Sequence, residues 1–261
     1  MSIFAIVPIP MFLLMGELFF HTGLANRMFN AVENLMGSTP ARLSYVTIAG
    51  GTAFATLSGS SMGSTALLGT LMVPEMTKRG YKKSMSIGPI LGTGGLAMLI
   101  PPSALAVLLG TLAEIDIGRL LIGGIVPGLI LATMYAIYIF LRATYDPSVA
   151  PVYEVEYIPW SARFWLFLTD VVPMISIIVM VILLIMFGVA TPSESAAYGS
   201  LGVIILSILY LWLVPLLSGD RDQARSFWLK FSDSLWKSMW GAARVTIIAL
   251  MILFGSSLFS N

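Results

Sequence analysis

The chain has no cysteine, a single histidine (His21) and few charges. Without cysteine there is neither a disulfide framework nor a thiolate metal site, and one histidine cannot form a cluster with metal-ligand spacing. Charged residues make up 10% of 261, and the 14 Lys and Arg nearly cancel the 13 Asp and Glu. The basic residues are scattered through short connectors, so no footprint for a nucleic acid exists. The first apolar run, 3–20, has no basic stretch before it and no small-residue cleavage site behind it. It therefore reads as a mature membrane helix rather than a signal peptide.

What is present in abundance is apolar surface: 57% of residues are hydrophobic and the mean hydropathy is +0.92. Those values point to lipid as the solvent. Segments 118–141, 164–189 and 196–217 are long and nearly free of charge. Segments 3–20 and 239–259 are plausible spans with polar ends. The basic cluster Lys78, Arg79, Lys82 and Lys83 has no acid within it and marks the cytoplasmic side. The expected organisation is a scaffold helix with connector (1–42), a broken segment (43–77), a discontinuous helix (84–113), a transmembrane helix (118–142), a connector (143–163) and two scaffold helices (164–217). An amphipathic helix lying in the membrane interface (221–240) and a further span (239–259) follow. In the amphipathic segment Phe227, Trp228, Phe231, Trp236 and Trp240 recur at helical spacing between charges.

Two regions depart from ordinary spans. The apolar runs 43–57 and 62–76 are each too short to cross, and the uncharged motif LSGSSMGST (57–65) joins them. Together they form either one kinked crossing or a hairpin that turns back inside the membrane. These alternatives place Arg42 and Lys78 on opposite sides or on the same side. Region 84–113 has no charge and is interrupted by GTGG (92–95) and IPPS (100–103). Pro101 and Pro102 lack backbone donors and oppose the preceding turn, so the helix is expected to break there and release carbonyls.

Unwound backbone at membrane depth offers carbonyl oxygens to a hard cation and half-helix N-termini to an anion. Ser58, Gly59, Ser60 and Ser61 at the first break, with Thr93, Gly94, Pro101, Pro102 and Ser103 at the second, are the candidate ion and substrate site. Ser58, Ser60 and Ser103 are the expected sodium ligands, largely through backbone carbonyls. Ser64 and Thr65 add hydroxyls. From 43 to 74 and from 84 to 113 there is no Asp, Glu, Lys, Arg or His, which argues for sodium coupling through neutral oxygens rather than a proton relay. The plainer reading makes the small residues a packing face and the prolines a kink. A membrane hydrolase with a serine nucleophile lacks an activating Lys, His or Asp nearby. Glu17, the acid inside the first apolar segment, is a functional candidate as an intramembrane carboxylate, but its place near that segment's end beside His21 favours an interfacial role. Thr191, Pro192 and Glu194 supply a helix cap.

The motifs IPMFLLMGELFFHTGLANRM (9–28), LSGSSMGSTALLGTLMVPEMTKRGY (57–81), GPILGTGGLAMLIPPSALAVLLG (88–110), IDIGRLLIGGIVPGLIL (115–131) and ATPSESAAYG (190–199) resemble, in order and spacing, the large membrane subunit of tripartite ATP-independent periplasmic (TRAP) transporters. The resemblance covers nearly the whole chain. It implies an all-α integral membrane protein of the bacterial inner membrane, an inverted-repeat, elevator-type carrier with a re-entrant hairpin and a discontinuous helix, and no enzymatic activity. It also implies a small membrane subunit and a periplasmic binding protein as partners, an organic acid such as a dicarboxylate or sugar acid as substrate, sodium as coupling ion and no other cofactor. It chooses the hairpin, with Ser58, Gly59 and Ser60 at its tip and Pro101, Pro102 and Ser103 at the break. That family has another helix before residue 3 and a second inverted half, so this chain is expected to be a fragment carrying half of a site. A rival is a sodium-coupled anion carrier of the same architecture without a binding protein.

Overall fold

A computed structural model describes residues 7–37, 39–153, 159–217 and 221–259, and the regular elements among them are all helical. Residues 3–6 of the first expected span, and 154–158 of the connector, lie outside the described residues. Helix α1, Pro8–His21, opens with proline in its first turn, where the missing N–H costs nothing. It buries Phe12, Met15, Leu18 and Phe19 and packs against the helices Leu24–Met36, Arg42–Ser58, Ala104–Leu112, Pro192–Ile208 and Arg221–Phe259. It is the hub of the fold.

The expected connector after α1 holds a second helix, α2, Leu24–Met36, bent 67° from α1. Gly23, at φ +83°, makes that corner. Leu24, Ala25, Met28, Phe29 and Ala31 then form the buried stripe of an amphipathic helix. Helices α3, Arg42–Ser58, and α4, Ser61–Lys78, follow.

These two fold back on each other. The backbone N–H of Leu43, at the start of α3, donates to the hydroxyl of Tyr81 just after α4, at 3.4 Å. Burial pushes the Tyr81 phenol up to about 12, so it stays neutral. Glu33 on α2 ties both ends together, its Oε1 lying 3.6 Å from Arg42 and 3.5 Å from Arg79. Arg79 also grips Glu75 at 2.5 Å and sits 4.0 Å over the Tyr153 ring. Arg42 and Arg79 therefore share one end of the molecule, and α3 and α4 form a hairpin rooted there.

Helix α5, Lys83–Leu99, runs without interruption through Gly92–Gly95, contrary to the expected break. Glycine weakens a helix by roughly 1 kcal/mol but keeps its N–H, and close packing on α3 and α4 outweighs that. The true break comes at Ile100–Ser103, with a 47° bend into α6, Ala104–Leu112. Helix α7, Ile117–Tyr145, crosses this break at close range: a Cβ on Gly124 would lie 2.2 Å from the Leu99 carbonyl oxygen.

The remaining helices build an outer layer. Helix α8, Trp160–Leu166, passes through a π-helical turn, Phe167–Val171, into α9, Val172–Met186. Helix α10, Pro192–Ile208, starts with the reciprocal cap of Thr191 and Glu194. A second π-helical turn, Leu209–Leu213, leads it into α11, Val214–Leu217. Between the two π turns Arg27 of α2 pairs with buried Asp170 and lies 4.4 Å over the Tyr210 ring. The Tyr210 hydroxyl donates to the Thr169 carbonyl.

The interfacial helix at 221–240 and the separate span at 239–259 are one continuous helix instead, α12, Arg221–Phe259. No proline lies within it, and Gly241 alone cannot stop the hydrogen-bond ladder. Gly241 serves packing: a Cβ there would fall 2.7 Å from the Glu17 carboxyl carbon.

Among the described residues, four helical stretches are long and apolar enough to cross a membrane: Ile117–Tyr145, Trp160–Met186, Pro192–Leu216 and Ser226–Ile252. The bent pairs α1–α2 and α5–α6 raise that to six if each is one span. The outward face of α7, with Val126, Leu129, Ile130, Met134 and Phe140 all more than half exposed, is an apolar surface of the kind that lipid or a packed helix covers.

Candidate functional site

The polar run between α3 and α4 forms a compact hairpin tip because its hydroxyls replace the backbone partners lost where two helices end. Gly59 ends α3 in the left-handed conformation, φ +57°, with its N–H on the Ala55 carbonyl. Ser60 caps α4, its Oγ accepting from the Gly63 N–H at 3.1 Å. Ser64 donates to the Ser60 carbonyl at 2.7 Å, and Ser58 and Ser64 share a hydroxyl contact of 2.8 Å. Ser58, Ser64 and Ser103 are buried.

The second break is built in the same way. Pro101 and Pro102, joined by a cis peptide, are buried in the bend, and Ser103 caps α6 by accepting from the Ala106 N–H at 3.2 Å. The two breaks touch. A Cβ on Gly59 would stand 3.1 Å from the Ala104 backbone nitrogen and 3.5 Å from the Pro102 carbonyl oxygen. The hairpin tip thus rests on the first turn of α6, bringing Ser58, Gly59, Pro101, Pro102 and Ser103 to one place.

Of the expected sodium ligands, the Ser60 and Ser103 carbonyls already accept from the backbone N–H groups of Ser64 (3.0 Å) and Val107 (3.1 Å). The Ser60 carbonyl also accepts from the Ser64 hydroxyl at 2.7 Å, which fills both of its lone pairs, whereas the Ser103 carbonyl keeps one for a cation. The Pro102 carbonyl, facing Gly59, is the oxygen most directly presented to the tip.

Thr93 and Gly94 occupy a different position, inside α5. Thr93 is fully buried, its hydroxyl donates to the Ile90 carbonyl at 2.8 Å, and its methyl lies 3.0 Å from a Cβ built on Gly51. Gly94 lets α4 approach: a Cβ there would meet the Thr65 hydroxyl at 2.4 Å and the Ser61 hydroxyl at 3.2 Å. Ser61 therefore belongs both to the tip and to the α4–α5 seam. Gly94→Ala is expected to cost about 1–2 kcal/mol, because the clashing atom ends a side chain that can rotate. Thr65→Ala in the same chain should restore most of it. The thermal unfolding midpoints of the single and double variants in detergent check this.

A third wall was not evident from the sequence. Gly16 of α1 presses on the tip so closely that a Cβ would lie 2.0 Å from the Ser58 Cα. Beside that contact opens a cavity of about 300 Å³, lined by Leu13, Glu17, Phe20, Phe54, Ser58, Ser60 and Thr70 among others. Glu17 thus lines a cavity that reaches the tip, while its carboxyl group packs on Gly241 of α12. The one signal in the sequence was its being the acid of an apolar run. Among the described residues, no group of three or more His, Asp or Glu is placed to hold a metal ion.

The family model described as "Tripartite ATP-independent periplasmic transporter, DctM component" matches residues 1–261. The C4-dicarboxylate TRAP transporter large permease protein DctM of Pseudomonas aeruginosa is 33% identical over 198 residues, covering 74% of this chain and 44% of that protein. The ectoine TRAP transporter large permease protein TeaC of Halomonas elongata is 31% identical over 205 residues, covering 78% and 47%. The isethionate TRAP transporter permease protein DctMQ of Oleidesulfovibrio alaskensis is 37% identical over 127 residues, covering 49% and 20%. The chain spans about half the length of the large permeases it matches, or less.

Proposed function

The chain belongs to the DctM component family of TRAP transporters, and from that premise we propose that its hairpin tip and broken helix form one half of a sodium-coupled site for an organic acid. As a large permease it is a multi-pass protein of the bacterial inner membrane. The observation that carries the reading is the contact of Gly59 with Pro102 and the first turn of α6. Two broken helices meeting within one apolar fold offer carbonyls to sodium and helix N-termini to a carboxylate. A buried patch of hydroxyls with no fixed charge suits an ion that arrives and leaves in each cycle.

The rest of the cycle follows from the family. The hairpin is re-entrant, the second half of the permease completes the site as an inverted repeat, and the part that carries the hairpin and the broken helix moves as an elevator against the scaffold helices. A periplasmic binding protein delivers the acid, and a small membrane subunit joins the permease, in keeping with the DctMQ name of the isethionate relative. The substrate is an organic acid of the dicarboxylate or sugar-acid class.

The test is uptake into proteoliposomes by the full-length permease with its small subunit and binding protein. An inward sodium gradient should drive accumulation of the acid, and Gly59→Ala should lower uptake at subsaturating sodium about tenfold, because alanine is strained by roughly 1–2 kcal/mol at that left-handed position. Accumulation driven by a proton gradient with no sodium present would sink the proposal.

A further inference from the structure

We propose that Glu17 and His21 together form a proton-binding site on the wall against which the hairpin tip rests. Glu17 lines the cavity shared with Ser58, Ser60 and Thr70, next to the tight Gly16–Ser58 contact. On its other side it is wedged over Gly241 of α12. His21 Nε2 lies 3.3 Å from its Oε2, and no Lys or Arg forms an ion pair with Glu17 among the described residues. The Glu17 side chain is only 26% exposed and its cavity is walled by Leu13, Phe20, Phe54 and Leu67, so its charge is only partly solvated and a bound proton relieves it. The geometry provides for a proton, since the pair of ionised Glu17 and neutral His21 carries one negative charge, one added proton held between them makes it neutral, and a second leaves it positively charged.

The neighbouring elements place charge mainly on the His21 side of the pair. On α12, Lys230 and Asp233 line a second cavity with His21, Asp233 pairs with Lys237 at 2.5 Å, both members of that pair act on the imidazole, and Arg244 is exposed. On α2, Arg27 is held by Asp170, and Glu33 by Arg42 and Arg79. The described residues of α3 and α4 that line the cavity are not titratable, and α6 carries no titratable residue. The α10 residues against α1, such as Gly199 and Ser200, are not titratable either.

Protonation matters because the cargo of the neighbouring site is an anion. An ionised Glu17 beside the tip repels an arriving carboxylate, whereas the protonated pair does not. This consequence rests on the transporter reading; the titration itself does not.

The experiment uses the full-length permease complex. Infrared difference spectra on acidification should show a protonated-carboxyl C=O band that is absent in Glu17→Gln and present but shifted in Glu17→Asp, which also controls for folding. In uptake assays the wild type should change about tenfold across the titration of the pair, while Glu17→Gln stays flat. A band that persists in Glu17→Gln, or a pH profile that this variant leaves unchanged, would overturn the proposal. If no acid is taken up by any variant, the band still decides the site, so failure of the transporter reading is separately visible.

Discussion

Gly16→Val should prevent the hairpin from seating, and Gly16→Ala should lower the thermal unfolding midpoint of the detergent-solubilised protein by several degrees. The Cβ that either substitution adds would lie 2.0 Å from the Ser58 Cα, 2.6 Å from its Cβ and 2.9 Å from its carbonyl carbon. The obstacle is backbone, so no rotamer relieves it. Either α1 or the whole hairpin must move, and inserting even one methyl into such a contact costs about 1–3 kcal/mol or more. Ser58→Gly offers a discriminating control. It deletes the Cβ contact but keeps the closer one to Cα, so it should rescue Gly16→Ala only slightly. Full rescue would mean that the two backbones are not packed as described. Gly94 and Thr65 make the contrasting case, in which a hydroxyl can swing aside.

The second large effect is expected at the pair that ties α2 to the π turn of α8 and α9. Arg27→Ala should cost about 3–5 kcal/mol, because it leaves the Asp170 carboxylate buried without its cation. Asp170→Ala should cost clearly less, since the Arg27 side chain is 38% exposed and can turn its charge to water. The double variant should be more stable than Arg27→Ala alone, the signature of an interaction that hurts chiefly when half removed. Urea or thermal unfolding of all three variants measures this, and equal losses in the two single variants would contradict it. Tyr210→Phe, removing the donor to the Thr169 carbonyl, should add a loss of about 1 kcal/mol.

These two sites also show where sequence reasoning reaches and where it stops. The helix ends at Ser58, Ser61, Leu99 and Ala104 were legible because their causes are local. A polar, glycine-bearing run interrupts two apolar segments, and paired prolines remove donors. GTGG misled for the same local reason: glycine permits a break but does not impose one, and packing on Thr65 and Ser61 kept the helix intact. Helix α2 went unread because its polar face disguised it as a connector, and its stripe matters only once α1 and α3 are there to cover it. The unbroken α12 was hidden by a change in composition that is not a change in backbone.

Contacts between elements were out of reach. Nothing in the spacing of Gly16, Glu17 and Ser58 says that they meet, and the π turns that bring Asp170 and Tyr210 to Arg27 leave no periodic trace. The oxygens of the candidate site were nameable one by one. Which of them were free was not, because that depends on the caps that Ser60 and Ser103 make with their own helices.

The charge cluster at the hairpin's root gives α3 and α4 the mechanics of a cantilever. Glu33, Arg42, Arg79 and Tyr153 clamp one end, while the far end, around Gly59, rests on α1 and α6 through close contact. An arm of that kind swings about its clamp. Helix α4 has 18 residues, a lever of roughly 27 Å at 1.5 Å per residue. A tilt of about 10° at the root then displaces the tip by roughly 5 Å, more than a cation's diameter. Loosening a guanidinium at one end of the arm is thus felt by whatever sits at the other.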